Sequence, residues 1–170
     1  FEQTDLFALI NNAGIVKGGP WETVTDEALR TQFEVNVFGV ASVTRVLLPS
    51  IRRAKGRIVN MSSISGRVAA PFMGPYSASK FAMEAMTDSM RRELRPVGVT
   101  VSSINPGPIK TPIWQKSEGL ASDPAQLLPN DDLKQAYAER LTKFSKYIKQ
   151  SAAEAESPDL VVDAVMHALT

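Results

Sequence analysis

The chain contains no cysteine, which excludes disulfides, thiolate nucleophiles and cysteine-ligated zinc together. That fits a reducing compartment, and the expected location is cytoplasmic. Histidine occurs once, at His167, near the end of 170 residues. A Ser-His-Asp hydrolase would have to recruit it, and no Gly-x-Ser-x-Gly elbow is present. His167 follows Val161, Val162, Val165 and Met166 at helical spacing, which suits a surface or half-buried position. Neither sign of charge predominates. The formal net charge is +1, so nothing electrostatic points to nucleic acid or an anionic membrane surface. Basic clusters at Arg52, Arg53, Lys55 and Arg57, and at Arg91, Arg92 and Arg95, suit helix ends and solvated faces. No continuous apolar run is long enough to span a bilayer. No internal repeat or low-complexity tract occurs. The remainder is one domain's length of chain with an ordinary apolar and charged composition.

The chain is organised around Arg57 to Lys80. Ile58-Val59-Asn60-Met61 reads as a buried strand and breaks into a Ser/Gly loop. The chain then crosses Pro71 and Pro75 and begins a helix at about Tyr76. Tyr76 and Lys80 share one face of that helix. Ser63 lies in the loop after the strand, where the crevice of an open α/β sheet forms. A phenol of ordinary pKa, about 10, is a poor base near neutrality. A neighbouring ammonium favours the phenolate, and Ser63 can exchange hydrogen bonds with an alcohol or carbonyl oxygen. Taken alone, Tyr-x-x-x-Lys also suits a half-buried tyrosine beside a solvated lysine.

Taken in order, Leu6 to Ile10 reads as a buried parallel strand, and Asn11-Asn12-Ala13-Gly14 turns the chain. Thr25, Asp26 and Glu27 start a long amphipathic helix reaching about Ala54. Asn36 lies inside it, where asparagine is unfavourable by propensity. The helix from Tyr76 runs to Leu94 and is stopped by Pro96 and Gly98. Thr100 to Asn105 reads as a further strand, ended by Pro106-Gly107-Pro108. Helical patterns follow around Ile113 to Lys116, from Asp131 to Gln150, and after Ser157-Pro158-Asp159.

Five elements together resemble the short-chain dehydrogenase/reductase family. They are Asn11-Asn12-Ala13-Gly14, Asn36 in Asn-Val-Phe-Gly, Ser62-Ser63 before Gly66, Tyr76-Ser-Ala-Ser-Lys80, and Pro106 to Thr111. They stand in the family's order and spacing. The wording around Phe38 and Arg91 to Pro96 is similar to the branch acting on retinols, hydroxysteroids and other lipophilic alcohols.

The resemblance implies a doubly wound parallel sheet of the Rossmann type, a three-layer α/β/α sandwich. It implies reversible NAD- or NADP-dependent interconversion of an alcohol and a carbonyl, without a metal. Tyr76 would be the acid/base, Lys80 would lower its pKa and contact the nicotinamide ribose, and Ser63 would orient the substrate oxygen. Asn36 would accompany a helix distortion holding a water in a proton relay that ends at the lysine. Asn11, Ala13 and Gly14 belong to the cofactor side, Asn11 by stabilising the sheet. Pro106, Gly107, the backbone of Ile109 and the hydroxyl of Thr111 would receive the nicotinamide. A non-catalytic dinucleotide-binding sensor or scaffold is the alternative on the same fold.

The family's glycine-rich pyrophosphate loop and its NAD/NADP-selecting residue are not seen before Asn11, and a final strand is not seen after the last helix. The chain is therefore expected to be the C-terminal portion of one domain, incomplete at both ends. Residues 112–155 are expected to form a lid over a lipophilic substrate, with Ile113, Trp114, Leu120, Leu127, Leu128, Tyr137, Leu141, Phe144 and Tyr147 as its apolar side chains; these equally suit a core or an oligomer contact. A homodimer or homotetramer is expected through the helices Asp26–Ala54 and Tyr76–Leu94.

Overall fold

The computed structural model describes residues 5–113 and 128–170. Trp114, Leu120 and Leu127 of the expected lid lie outside the described residues. Three parallel strands, β1 (Ala8–Asn11), β2 (Arg57–Met61) and β3 (Thr100–Ile104), form a sheet in the order β1-β2-β3. Leu9 registers with Ile58 and Ile58 with Val101; one pleat on, Asn11 registers with Asn60 and Asn60 with Ser103. Alternation along each strand puts all six on one face. Ile58 and Val101 pack there with Ile51, Val99, Leu47, Leu48, Met90 and Leu94 into an apolar core.

The helices on that face follow from caps and breakers. Thr25 accepts a hydrogen bond from Ala28 N at 3.1 Å and starts α1 (Asp26–Phe33), as an N-cap threonine should. The helix widens into a π-helical turn over Glu34–Gly39, then continues as α2 (Val40–Arg53). The expected single helix is thus present with a distortion centred on Asn36. α3 (Gly74–Leu94) has Pro75 in its first turn, where a missing N–H costs nothing. It ends in a 3₁₀ turn at Arg95–Val97 and at Gly98, whose φ of 83° is left-handed and suits glycine.

After the undescribed stretch, α4 (Asp131–Ala153) is capped by Asn130 and α5 (Asp159–Leu169) touches β2 and β3. The layers agree with the doubly wound α/β expectation.

Over its 28 residues, Asp26–Arg53 is the one helix among the described residues long and apolar enough to cross a membrane by length and composition. Here its inner face is polar as well as apolar: Gln32, Asn36 and Thr44 are buried and hydrogen-bonded within the fold. Its outer face exposes Phe38, Val43 and Val46.

A chain of buried side chains joins the helices across the sheet. Asn11 Nδ2 donates to Thr44 Oγ1 (3.0 Å) and to Asn60 Oδ1 (2.8 Å). Asn60 Nδ2 donates to Thr87 Oγ1 (2.8 Å), which donates to Met83 O (2.8 Å). α2, β1, β2 and α3 are thereby fixed in one register. Asn60→Ala should lower stability by about 1–3 kcal/mol, the cost of stranding buried partners. The measurement is the urea midpoint; an unchanged midpoint would mean the chain does not hold the sheet to its helices.

Candidate functional site

Parallel strands end on the same side, and a cavity of about 820 Å³ opens beyond the C-terminal ends of β1, β2 and β3, the usual crevice of such a sheet. Its polar floor holds Ser63, Tyr76 and Lys80, with Asn12 and Gly14 on one side and Pro106 to Ile109 and Thr111 on the other. Val16, Phe144, Ile148, Val161, Val165 and Met166 supply an apolar wall.

Tyr76 lies on the first turn of α3 and is 8% exposed. Burial pushes its phenol above the ordinary value, and a hydrogen bond with Ser63 acts in the opposite direction. Lys80, one turn on, is 5% exposed. Its Nζ donates to Met61 O at 2.7 Å, at the end of β2, and stands 5.8 Å from the Tyr76 ring centroid. Burial lowers this amine to about 8, and the carboxylate of Glu84 opposes that shift. Sequence reasoning expects Lys80 to lower Tyr76. The net direction here is upward, because desolvation of the phenolate outweighs the hydrogen bond with Ser63.

Asn36 is fully buried inside the π-helical turn. Its Oδ1 accepts from Ile15 N (2.9 Å), and its Nδ2 donates to Ile15 O (3.0 Å) and to Ser79 Oγ (3.0 Å). This clamps the turn after β1. A Cβ at Gly14 would lie 3.6 Å from Asn36 Oδ1 and 3.7 Å from Lys80 Nζ, so the Gly14 backbone runs beside both side chains.

The sequence-derived residues therefore divide. Gly14, Ser63, Tyr76, Lys80, Pro106, Gly107, Ile109 and Thr111 line one cavity. Asn36 braces its rim. Asn11 is committed to the sheet network, and neither it nor Ala13 lines the cavity. The loop after β3 is held by α5's leading segment: Lys110 N donates to Glu156 O (2.9 Å) and Glu156 N to Pro108 O (3.0 Å). A Cβ at Gly107 would meet nothing within 4 Å, so the loop faces open space there. Among the described residues, no cluster of metal-ligating side chains occurs.

Sequence reasoning missed Asn12, the carbonyl of Met61 and the α5 wall. The apolar stripe Val161, Val165 and Met166 was visible, but nothing local showed which way it faced.

Burial of Lys80 links stability to pH. Its amine binds a proton less tightly in the folded state, at about 8, than in the unfolded chain near 10.5. The unfolded state holds more protons between those values, so stability should rise with pH across that window. Lys80→Met removes the term. The wild type should gain on the variant between about pH 8 and 10.5, as read by urea unfolding at several pH values. A difference independent of pH would show that the amine is not desolvated.

The sequence profile described as short chain dehydrogenase matches residues 2–120. Retinol dehydrogenase 16 of Homo sapiens is 41% identical over 175 residues, covering 96% of this chain and 53% of that protein. A crystal structure of a short-chain dehydrogenase from Streptomyces avermitilis superposes with a TM-score of 0.73 at 27% identity, covering 95% of this chain and 56% of that one. A short chain dehydrogenase from Burkholderia cenocepacia in complex with NADP gives 0.61 at 43% identity, covering 64% and 47%. The chain spans about half the length of the curated relatives it matches. With five motifs in register and three strand ends meeting at one cavity, the profile match makes the conclusion direct: the chain belongs to the short-chain dehydrogenase family.

Proposed function

We propose that this chain carries the acid/base half of a nicotinamide-dependent oxidoreductase that interconverts an alcohol and a carbonyl. The observation that carries the reading is the convergence of Ser63, Tyr76 and Lys80 on one cavity, with the Lys80 amine 5.8 Å from the Tyr76 ring centroid. The residues present fit NAD or NADP. Gly14 and Gly107 line the cavity without a side chain at those two points, and a Cβ at Gly14 would lie 3.7 Å from the Lys80 amine. Lys80, the Asn12–Gly14 turn and the Pro106–Thr111 loop would hold the cofactor. When bound, it would give or accept the hydride at the substrate carbon, and its oxidised ring would favour the phenolate.

In the reducing direction, the Tyr76 phenol gives its proton to the carbonyl oxygen while Ser63 donates a hydrogen bond to the same oxygen. Oxidation reverses both. A phenol held high is a suitable donor, and it needs positive charge nearby to act as a base. Lys80 supplies that charge most fully below about pH 8. Both donors of the Asn36 amide are taken by Ile15 O and Ser79 Oγ, and its oxygen accepts from Ile15 N, so its part in a relay is to hold the Gly14 turn beside Lys80.

The substrate proposed is lipophilic. Val161, Val165 and Met166 from α5 line the cavity together with Phe144 and Ile148 from α4, and such a wall gains from each apolar group it covers. Within residues 112–155, α4 is the described helix of the proposed lid. It packs through Phe144 on Phe72, just before Tyr76, with ring centroids 5.5 Å apart. The similarity to a protein named retinol dehydrogenase points the same way.

The test is nicotinamide absorbance with a graded set of alcohols and ketones, using the whole protein. Tyr76→Phe should lose about 10²–10⁴-fold in kcat, the typical worth of a positioned acid/base, while cofactor binding measured by fluorescence is kept. kcat/KM should rise with apolar size by about 0.8 kcal/mol per buried methylene. Retention of most of the rate by Tyr76→Phe would defeat the assignment; equal efficiency on short polar and steroid-sized alcohols would defeat the substrate class.

Phe38, Val43 and Val46 on the outer side of the α1–α2 helix are exposed, as is Phe81 on α3. We propose a homodimer or homotetramer that covers this face. Light scattering should give at least twice the monomer mass, and Val46→Asp should lower it; a wild-type monomer at micromolar concentration overturns the proposal.

A further inference from the structure

Glu84 lies one helical turn beyond Lys80, on the same face of α3, and is 6% exposed. A carboxyl group so placed needs partners, and it has them on two other segments. Arg67, which follows Ser63 in the loop after β2, reaches Glu84 Oε2 at 2.6 Å. Ser103, near the end of β3, donates to Glu84 Oε1 at 2.5 Å and lies three residues before Pro106.

The loop is also pressed onto the helix at this point. A Cβ at Gly66 would lie 2.9 Å from Ser62 Oγ, 3.0 Å from Lys80 O and 3.1 Å from Glu84 Cγ. Only a glycine lets the Ser63–Arg67 turn come this close. The charged groups around the carboxylate, among the described residues, are Lys80 and Arg67. Asp88, the next turn along, pairs with Arg91 on the exposed side.

We infer that Glu84 is a positioning residue that ties the Ser63 loop and the end of β3 to α3 and so sets where Ser63 and Lys80 stand relative to Tyr76. This rests on the oxidoreductase reading above. From α3 this one side chain holds both the loop after β2, through Arg67, and the end of β3, through Ser103. Its charge acts through Lys80 as well, since it opposes the loss of the proton that burial favours there. Arg67 is 59% exposed and neutralises the carboxylate's outer side, so it modulates the same effect from the surface.

Three variants in the whole protein separate the parts. Glu84→Gln keeps the shape and the Ser103 contact but removes charge. Glu84→Asp keeps the charge on a shorter arm. Arg67→Ala leaves the carboxylate with Ser103 alone. Lys80 titration is read by NMR after ¹³C-reductive methylation, and it needs no turnover. Glu84→Gln should move the Lys80 midpoint to lower pH and Arg67→Ala should move it to higher pH.

In the assay, Glu84→Gln should lose about ten- to a hundredfold in kcat with KM little changed, the scale of a small misplacement. Glu84→Asp should recover part of that loss. A folded Glu84→Gln with wild-type kcat and an unmoved Lys80 midpoint overturns the inference. If Glu84→Gln does not fold, Arg67→Ala decides: a folded Arg67→Ala with an unmoved midpoint and wild-type kcat overturns it equally. A wild type without nicotinamide turnover sinks the oxidoreductase reading, while the midpoint shifts still test the link from Glu84 to Lys80.

Discussion

An amine buried to the extent of Lys80 must be solvated by the protein or lose its charge, and much of the site is arranged around that requirement. Its Nζ takes the carbonyl of Met61 at the end of β2, which fixes the height of α3 over the sheet. The Gly14 backbone passes beside it because Asn36 holds Ile15 by both backbone groups. The carboxylate of Glu84 lies within electrostatic reach one turn away. Ser63 meets Tyr76 because β2, which is fixed by Met61, delivers the loop at the correct level. Removing the amine would relax a set of contacts from β1, β2 and α3 together.

The second constraint is polar and lies deeper. The face of the sheet under α2 and α3 changes from Leu9, Ile58 and Val101 to Asn11, Asn60 and Ser103 within one pleat. An apolar row there would pack without specifying register. Paired asparagines specify it, since Asn11 and Asn60 satisfy each other only when their strands are aligned. Thr44 and Thr87 then receive the outer groups, so the two helices follow the register of the strands. The polar row leads directly into the cavity floor, which makes the end of the core and the start of the site continuous.

Local signals made a good part of this legible. Thr25 at a helix start, Pro75 inside a first turn and Gly98 after a helix each mark a boundary, and each boundary falls near where they place it. The Tyr76–Lys80 spacing gives a shared helical face, and the structure keeps it. What sequence did not disclose depends on which distant segments meet. Nothing local in Asn36 announces that it clamps Ile15, although its presence inside a helix signals that some partner is needed. Glu84 reads as one more helical charge until Arg67 and Ser103 are found on it. The upward shift of Tyr76 was also hidden, because burial is a property of the packed molecule and not of neighbours in the chain.

Phe72 shows how the apolar side of the cavity is joined to the polar side. Its φ of 64° is left-handed, a conformation that costs a bulky residue about 1 kcal/mol or more. Three contacts hold it there. Its carbonyl accepts from Gly19 N at 2.8 Å, on the loop after β1. Its ring meets Tyr137 and Phe144 of α4 edge-on, with centroids 6.4 Å and 5.5 Å away. The same ring belongs to the cluster around Tyr76 and to the cluster around Leu128, Leu133 and Leu141. The strained residue is therefore the splice between the helix that carries Tyr76 and the helix that supplies part of the apolar wall. An extended Phe72 would turn its ring from at least one of those clusters. The strain is the local cost of holding the apolar wall and Tyr76 in one fixed geometry.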